Sequence, residues 1–292
     1  MPLLYKALSL AIAAAGASYF YHLTVDLVKP CISFLSPYLP PSLQRESSSP
    51  YTCTRHTYTT SLVSLDPLLI YITNFIPPTE RHALINLGTP LLRHSPITGS
   101  GSNSLDKNVR TSTSAPLPAE DEVVSCVLAR AQSFLGPGVL KEGRDDMGMP
   151  QMVRYTAGQR FDVHADWFAR PRMTPEDREG GRRRLYNRVG TIFVVLENNS
   201  TGGGETWFPR VSLEAGSVGG GENEGDQGQR NWRVHEDGGL AFKPVPGNAL
   251  FWINLLPNGT GDARVVHAGL PIVDGVKTGM NIWPRTFFGP DA

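Results

Sequence analysis

The rhythm of apolar and polar positions changes twice along the chain. After Lys6, residues 7–25 are almost uninterrupted apolar positions, broken by Ser9, Ser18, His22 and Thr24. A run of that length is close to the roughly 20 residues a membrane-spanning helix needs. Ala15-Gly16-Ala17 fits a signal-peptidase site, but Tyr19, Phe20 and Tyr21 extend the stretch with rings suited to a membrane interface. Residues 1–29 therefore read as an uncleaved signal anchor, with a cleaved signal peptide as the alternative. Pro, Ser and Thr then dominate, with Pro37, Pro40 and Pro41 blocking regular structure, so 30–64 reads as a linker and 65–292 as the folded body.

Inside the body, residues 68–75 are apolar and β-branched between prolines, which predicts a strand. Pro77-Pro78-Thr79-Glu80 opens a helix with Ala83, Leu84, Leu87 and Leu91 at helical spacing. A Ser/Gly-rich loop follows over 95–104. A second helix is predicted over 121–135: its acidic start suits the positive end of the helix dipole, Val124, Val127, Leu128, Ala131 and Leu135 make one stripe, and Gly136-Pro137 ends it. From Met152 onward the pattern is one of short apolar runs between Gly, Pro and Asn breaks: 153–155, 161–166, 189–196, 205–208, 240–242, 249–253, 264–268 and 278–287. Strands at that spacing predict a mainly β sandwich or barrel with flanking helices. A basic stretch at 170–184 and a Gly-rich acidic stretch at 214–228 read as mobile surface loops.

Composition narrows the function classes. The 27 basic and 27 acidic residues cancel, so net charge asks for neither nucleic acid nor an anionic surface. Cys31, Cys53 and Cys126 are too few for a disulfide framework or a cysteine zinc site. Cys126, on an apolar helical face, reads as a small buried hydrophobe, and a Cys31–Cys53 bridge rests only on proximity in sequence. Sequons at Asn198, Asn199 and Asn258 are compatible with a secretory route.

The candidate chemistry lies in Phe161-Asp162-Val163-His164-Ala165-Asp166-Trp167. Residues two apart on a strand share a face, so His164 and Asp166 can reach one point. His267, about a hundred residues on, sits in another β-like run. Two imidazoles and one carboxylate on one side of a metal leave its other positions open, as in non-haem iron(II) oxygenases. Lys277 could pair with the far carboxylate of a keto acid chelating that metal, and Tyr155 could donate its hydroxyl to the same group. Taken singly, each residue has a plainer reading: a satisfied histidine, a solvated lysine, a packing tyrosine. A zinc hydrolase would use the same ligands but give Lys277 no purpose.

Four blocks in order, "VRYTAGQRFDVHADW" (153–167), "GGGETWFP" (202–209), "PVPGNALFW" (244–252) and "HAGLPIVDGVKTGMNIWPR" (267–285), closely resemble the prolyl 4-hydroxylase alpha-subunit family of Fe(II)/2-oxoglutarate-dependent dioxygenases. Upstream, "LLIYITNFIPPTERHALI" and "NVRTSTSAPLP" resemble that family's entry strand, helix and following loop, so the resemblance spans about 66–287. It implies a double-stranded β-helix (jelly-roll) core. It also implies iron held by His164, Asp166 and His267, and 2-oxoglutarate held by Lys277 and Tyr155, with Trp283 and Asn281 beside the co-substrate, O2 as second co-substrate and ascorbate as reductant. Thr206 falls on a strand expected to line the pocket, Gly203 and Gly204 are expected to serve the backbone, and Val195 stands where relatives often carry Tyr. The expected reaction hydroxylates a peptidyl proline and releases succinate and CO2, in an enzyme anchored in the endoplasmic reticulum membrane with its catalytic domain lumenal. A free amino acid or small metabolite is the alternative substrate, and an inactive membrane-tethered binding module the alternative class.

Overall fold

Strands β1 (Thr59–Ser64) and β2 (Leu69–Thr73) lead into α1 (Pro78–Gly88), the short β3 (Arg93–His94), the backbone pair β4 (Ile97–Thr98) and β5 (Asn103–Ser104), and β6 (Thr113–Pro116). Helix α2 (Glu122–Val139) precedes β7 (Gln151–Thr156), β8 (Phe161–His164), α3 (Pro175–Glu179), β9 (Leu185–Arg188), β10 (Gly190–Asn198) and β11 (Thr206–Phe208). The chain ends with β12 (Trp232–Val234), β13 (Leu240–Phe242), β14 (Ala249–Ile253), β15 (His267–Gly269), β16 (Val276–Ile282) and β17 (Arg285–Phe288). This computed structural model describes residues 51–95, 111–212 and 231–292, with backbone pairing at 97–98 and 103–104. The apolar segment 7–25, Cys31 and the acidic insertion 214–228 lie outside the described residues. Among the described residues no helix is long and apolar enough to cross a membrane.

An eight-stranded antiparallel sheet in the order β1-β2-β14-β10-β16-β7-β6-β3 and a five-stranded one in the order β12-β13-β11-β15-β8 form the double-stranded β-helix. Alternation along each strand sends one residue set inward. Leu69, Tyr71, Val153, Tyr155, Phe193, Val195, Leu250 and Trp252 from the large sheet meet Phe208, Leu240 and Phe242 from the small one in a single buried cluster. Phe208 packs edge-on to Trp252 with centroids 5.1 Å apart, a geometry that adds to simple burial.

The helices cover the outer face of the large sheet. Pro78 suits the first turn of α1, where a missing N–H costs nothing. Asp121 caps α2 by accepting from the amides of Val123 and Val124, and Phe134 of α2 meets Phe251 of β14 edge-on at 5.3 Å. Regular helix ends at Gly136, whose φ of 60° breaks the α-helical path where the Gly-Pro pair predicted an end. Buried Glu80 takes both Arg130 guanidinium nitrogens at 2.6 Å and ties α1 to α2.

Four expectations need correction. The folded unit starts at Thr52, and β1 falls inside the stretch read as linker. Its Thr/Ser-rich text hides a strand because only Val63 and Ser64 are buried. Cys126 is not a free thiol: it is bridged to Cys53, across 73 positions of sequence. The basic stretch 170–184 is ordered by α3, which Thr174 caps, and by buried Asp177, which pairs with Arg184 at 2.8 Å and Arg182 at 2.7 Å. The run 264–268 divides into a 3-10 turn at Ala263–Val265 and β15, and the run 278–287 into β16 and β17, because Pro284 cannot continue a ladder.

Candidate active site

His164 closes β8 and His267 opens β15, and the two residues stand directly opposite each other in the antiparallel register. Asp166 lies just beyond β8, in a bend rather than on the strand itself. The bend turns its carboxylate into the gap between the imidazoles. His164 Nε2 is 3.9 Å from Asp166 Oδ1, and His267 Nε2 is 3.7 Å from Oδ2. The ligand atoms of all three lie within 4.8 Å of one another.

Each ring is oriented through its other nitrogen. His164 Nδ1 lies 2.8 Å from the Asp162 carbonyl and His267 Nδ1 3.1 Å from the Val265 carbonyl. Nδ1 is the donor in both, so Nε2 keeps its lone pair for a metal. Phe161 stacks on His164 at 3.5 Å, and Trp252 meets His267 edge-on at 4.7 Å. Two imidazoles and a carboxylate are the donor set of a facial triad, and that set fits iron(II).

Sequence reasoning missed the groups that hold Asp166. Thr191 of β10 donates to its Oδ2 at 2.8 Å, and Asn254 donates to the Thr191 hydroxyl at 2.8 Å. Arg188 Nη1 donates to the Asp166 main-chain carbonyl at 3.2 Å. Burial would push the carboxyl of Asp166 up, but His267, His164, Arg188 and the Thr191 hydroxyl outweigh it and hold it below the usual range. The one signal in the text was Thr191 itself, a polar residue in the inward register of Phe193 and Val195.

Lys277, on β16 rather than before it, pairs in register with Tyr155 of β7. Its ammonium is 2 % exposed and donates to the Gly204 carbonyl at 2.5 Å. Among the described residues it forms no ion pair. Burial pulls its pKa down to about 7 against the partial support of Glu205. A buried cation lacking a counter-ion fits a carboxylate ligand. Gly204, with φ of +73°, lets the chain pass there: a β-carbon would sit 2.6 Å from Ile272 and 3.4 Å from Lys277. Tyr155 is buried with its hydroxyl near Gly269. Thr206 is buried on β11, in the small sheet. Val195 is core, so no hydroxyl is supplied from that position. Asn281 shares the inward face of β16 with Lys277 by alternation. Trp283 lies under Arg188, its ring centre 3.6 Å from Cζ.

The fold and this donor set are similar to those of 2-oxoglutarate-dependent iron(II) dioxygenases. Within that class, the chain is similar to plant prolyl 4-hydroxylases, in line with the resemblance in its motifs. It is 28% identical over 227 residues to the probable prolyl 4-hydroxylase 3 of Arabidopsis thaliana, covering 77% of this chain and 71% of that protein. It is 29% identical over 229 residues to prolyl 4-hydroxylase 2 of the same plant, covering 76% and 68%. No family model matches the chain. Among solved structures, the viral collagen prolyl hydroxylase of Paramecium bursaria Chlorella virus 1, in complex with 2-oxoglutarate, aligns with a TM-score of 0.51 at 22% identity, over 75% of this chain and 96% of that one.

Proposed function

We propose that this protein hydroxylates peptidyl proline, consuming 2-oxoglutarate and O2 and releasing succinate and CO2. The observation that carries the reading is the pairing of a two-histidine, one-carboxylate site with a buried lysine that, among the described residues, forms no ion pair, inside one β-helix. With iron(II) and 2-oxoglutarate bound, the metal supplies O2 activation and the oxidation of an unactivated C–H bond. His164, Asp166 and His267 would hold the iron from one side, leaving its other face for co-substrate. Lys277 would take the far carboxylate of 2-oxoglutarate, with Tyr155 as its neighbour across the ladder and Asn281 further along the same face. Phe161 packs on the His164 ring, and Phe208 and Trp252 pack on that of His267.

The substrate class rests on the named activity of the relatives. The Cys53–Cys126 bridge supports an oxidising compartment, in keeping with the apolar segment at 7–25 as a signal anchor, residues 30–51 as a spacer, and a catalytic domain in the endoplasmic reticulum lumen, where ascorbate would serve as reductant. His164→Ala or Asp166→Ala should abolish substrate-dependent succinate release; full activity in either variant removes the metal assignment. Proline peptides offered beside free proline, followed by mass spectrometry for gain of one oxygen, test the substrate class. Oxidation of free proline alone would overturn it.

A further inference from the structure

Arginines and aromatic rings alternate along one wall, built by the segment that follows Asp166 and by strand β9. Two residues beyond Asp166, Phe168 is fixed by Asn187, which accepts from its amide and donates to its carbonyl, both at 2.9 Å. The Arg172 guanidinium lies 4.0 Å from the centre of the Phe168 ring, and that of Arg188 lies 4.8 Å from it. Arg188 also covers Trp283 and reaches the Asp166 carbonyl. The strand pair β9–β17 and reciprocal main-chain bonds between Arg172 and Tyr186 hold the arrangement in register.

Charge in this wall is only partly cancelled. Residues 170–188 carry seven arginines against Glu176, Asp177 and Glu179. Asp177 is committed to Arg182 and Arg184, and Asp291 to Arg183. Among the described residues, Arg170 and Arg172 form no ion pair. A cation laid on an aromatic face is held in place while keeping its outward N–H groups for another partner.

From this geometry we infer that the Arg170–Arg172 end of the wall binds acidic side chains of the substrate, so that the preferred substrate is a proline peptide flanked by Asp or Glu. The inference rests on the peptidyl-proline reading above and adds a sequence preference to it. The wall starts two residues beyond Asp166, whose main-chain carbonyl accepts from Arg188 at 3.2 Å.

The test uses three fluorescein-labelled proline peptides of equal length, flanked by Glu, Gln or Lys. Their binding to the full chain loaded with iron(II) and 2-oxoglutarate is read anaerobically by anisotropy, and their oxidation in air by mass spectrometry. The Glu peptide should bind about fivefold tighter than the Gln peptide per engaged arginine, the upper end for a partly exposed ion pair. High salt should shrink that advantage. Arg172→Gln should remove much of it, Arg172→Lys should retain it, and Arg172→Glu should shift preference toward the Lys peptide. A role in folding alone would produce no such inversion. Equal binding of Glu and Gln peptides, or no binding of any, overturns the inference, as does a Glu preference that survives in Arg172→Glu. Equal oxidation of all three peptides would leave peptidyl-proline hydroxylation standing, whereas no oxidation of any, with binding intact, would remove that reading instead.

Discussion

Raising the pH from 6 to 8 should weaken 2-oxoglutarate binding about tenfold, because Lys277, proposed above to receive it, loses its proton over that interval. Burial places the free Lys277 ammonium at a pKa of about 7. A dicarboxylate bound against it favours the charged form, so binding is linked to proton uptake wherever the free protein is deprotonated. At pH 6 roughly nine-tenths of the free protein carries the charge and at pH 8 roughly one-tenth, which sets the factor. The same shift acts on folding with the opposite preference. The unfolded lysine titrates near its usual value of about 10.4, so between about pH 7 and 10 the unfolded chain binds more protons, and stability gains from this group as pH rises. Calorimetric titration of 2-oxoglutarate into the anaerobic iron(II)-loaded protein, in buffers of different ionisation enthalpy, reads both affinity and proton uptake. A dissociation constant unchanged between pH 6 and 8, with no proton taken up, would refute the placement of Lys277 as the carboxylate partner.

Lys277→Ala should raise the 2-oxoglutarate requirement by roughly thirtyfold, the worth of about 2 kcal/mol for a charge-assisted hydrogen bond, with iron affinity little changed in a metal titration. Thr191→Val keeps the volume but removes the hydroxyl between Asn254 and Asp166, so iron affinity should fall by about 10- to 100-fold while circular dichroism stays native. Cys53→Ser should cost about 4 kcal/mol in denaturant unfolding, from chain entropy over a 73-residue separation, and a reductant should destabilise the native protein equally. Glu80→Ala leaves Arg130 buried without its partner and should cost about 3–5 kcal/mol by the same measurement.

Much of the candidate site was legible because its chemistry is written in short range. His164 and Asp166 are two residues apart, and His267 and Lys277 lie in one block, so spacing and motif were enough to single out the three side chains the structure brings together. The strands with apolar inward faces, such as β13 and β14, were read to the residue for the same reason. What escaped depends on partners far away in sequence. β1 and β9 have polar text, and only the sheets they join make them strands. Cys126 shows a helix-face pattern that says nothing of Cys53, since packing brings α2 to the segment before β1. Arg188 and Asn254 matter through a single main-chain carbonyl and a single hydroxyl, contacts that leave no periodic trace. The basic stretch looked like solvent-exposed loop because the one residue that orders it, Asp177, is a lone acid among arginines.

His164 and His267 face each other across the ladder, and β8 is the outermost strand of its sheet. A slip of one residue in that pairing would swing an imidazole to the opposite surface. Metal occupancy and strand alignment are therefore one equilibrium: the ion acts as a rivet at a border that backbone bonding closes on one side only. Chelation should let the amides of 161–164 exchange with deuterium well before those of β10, and re-metallation should re-protect them first.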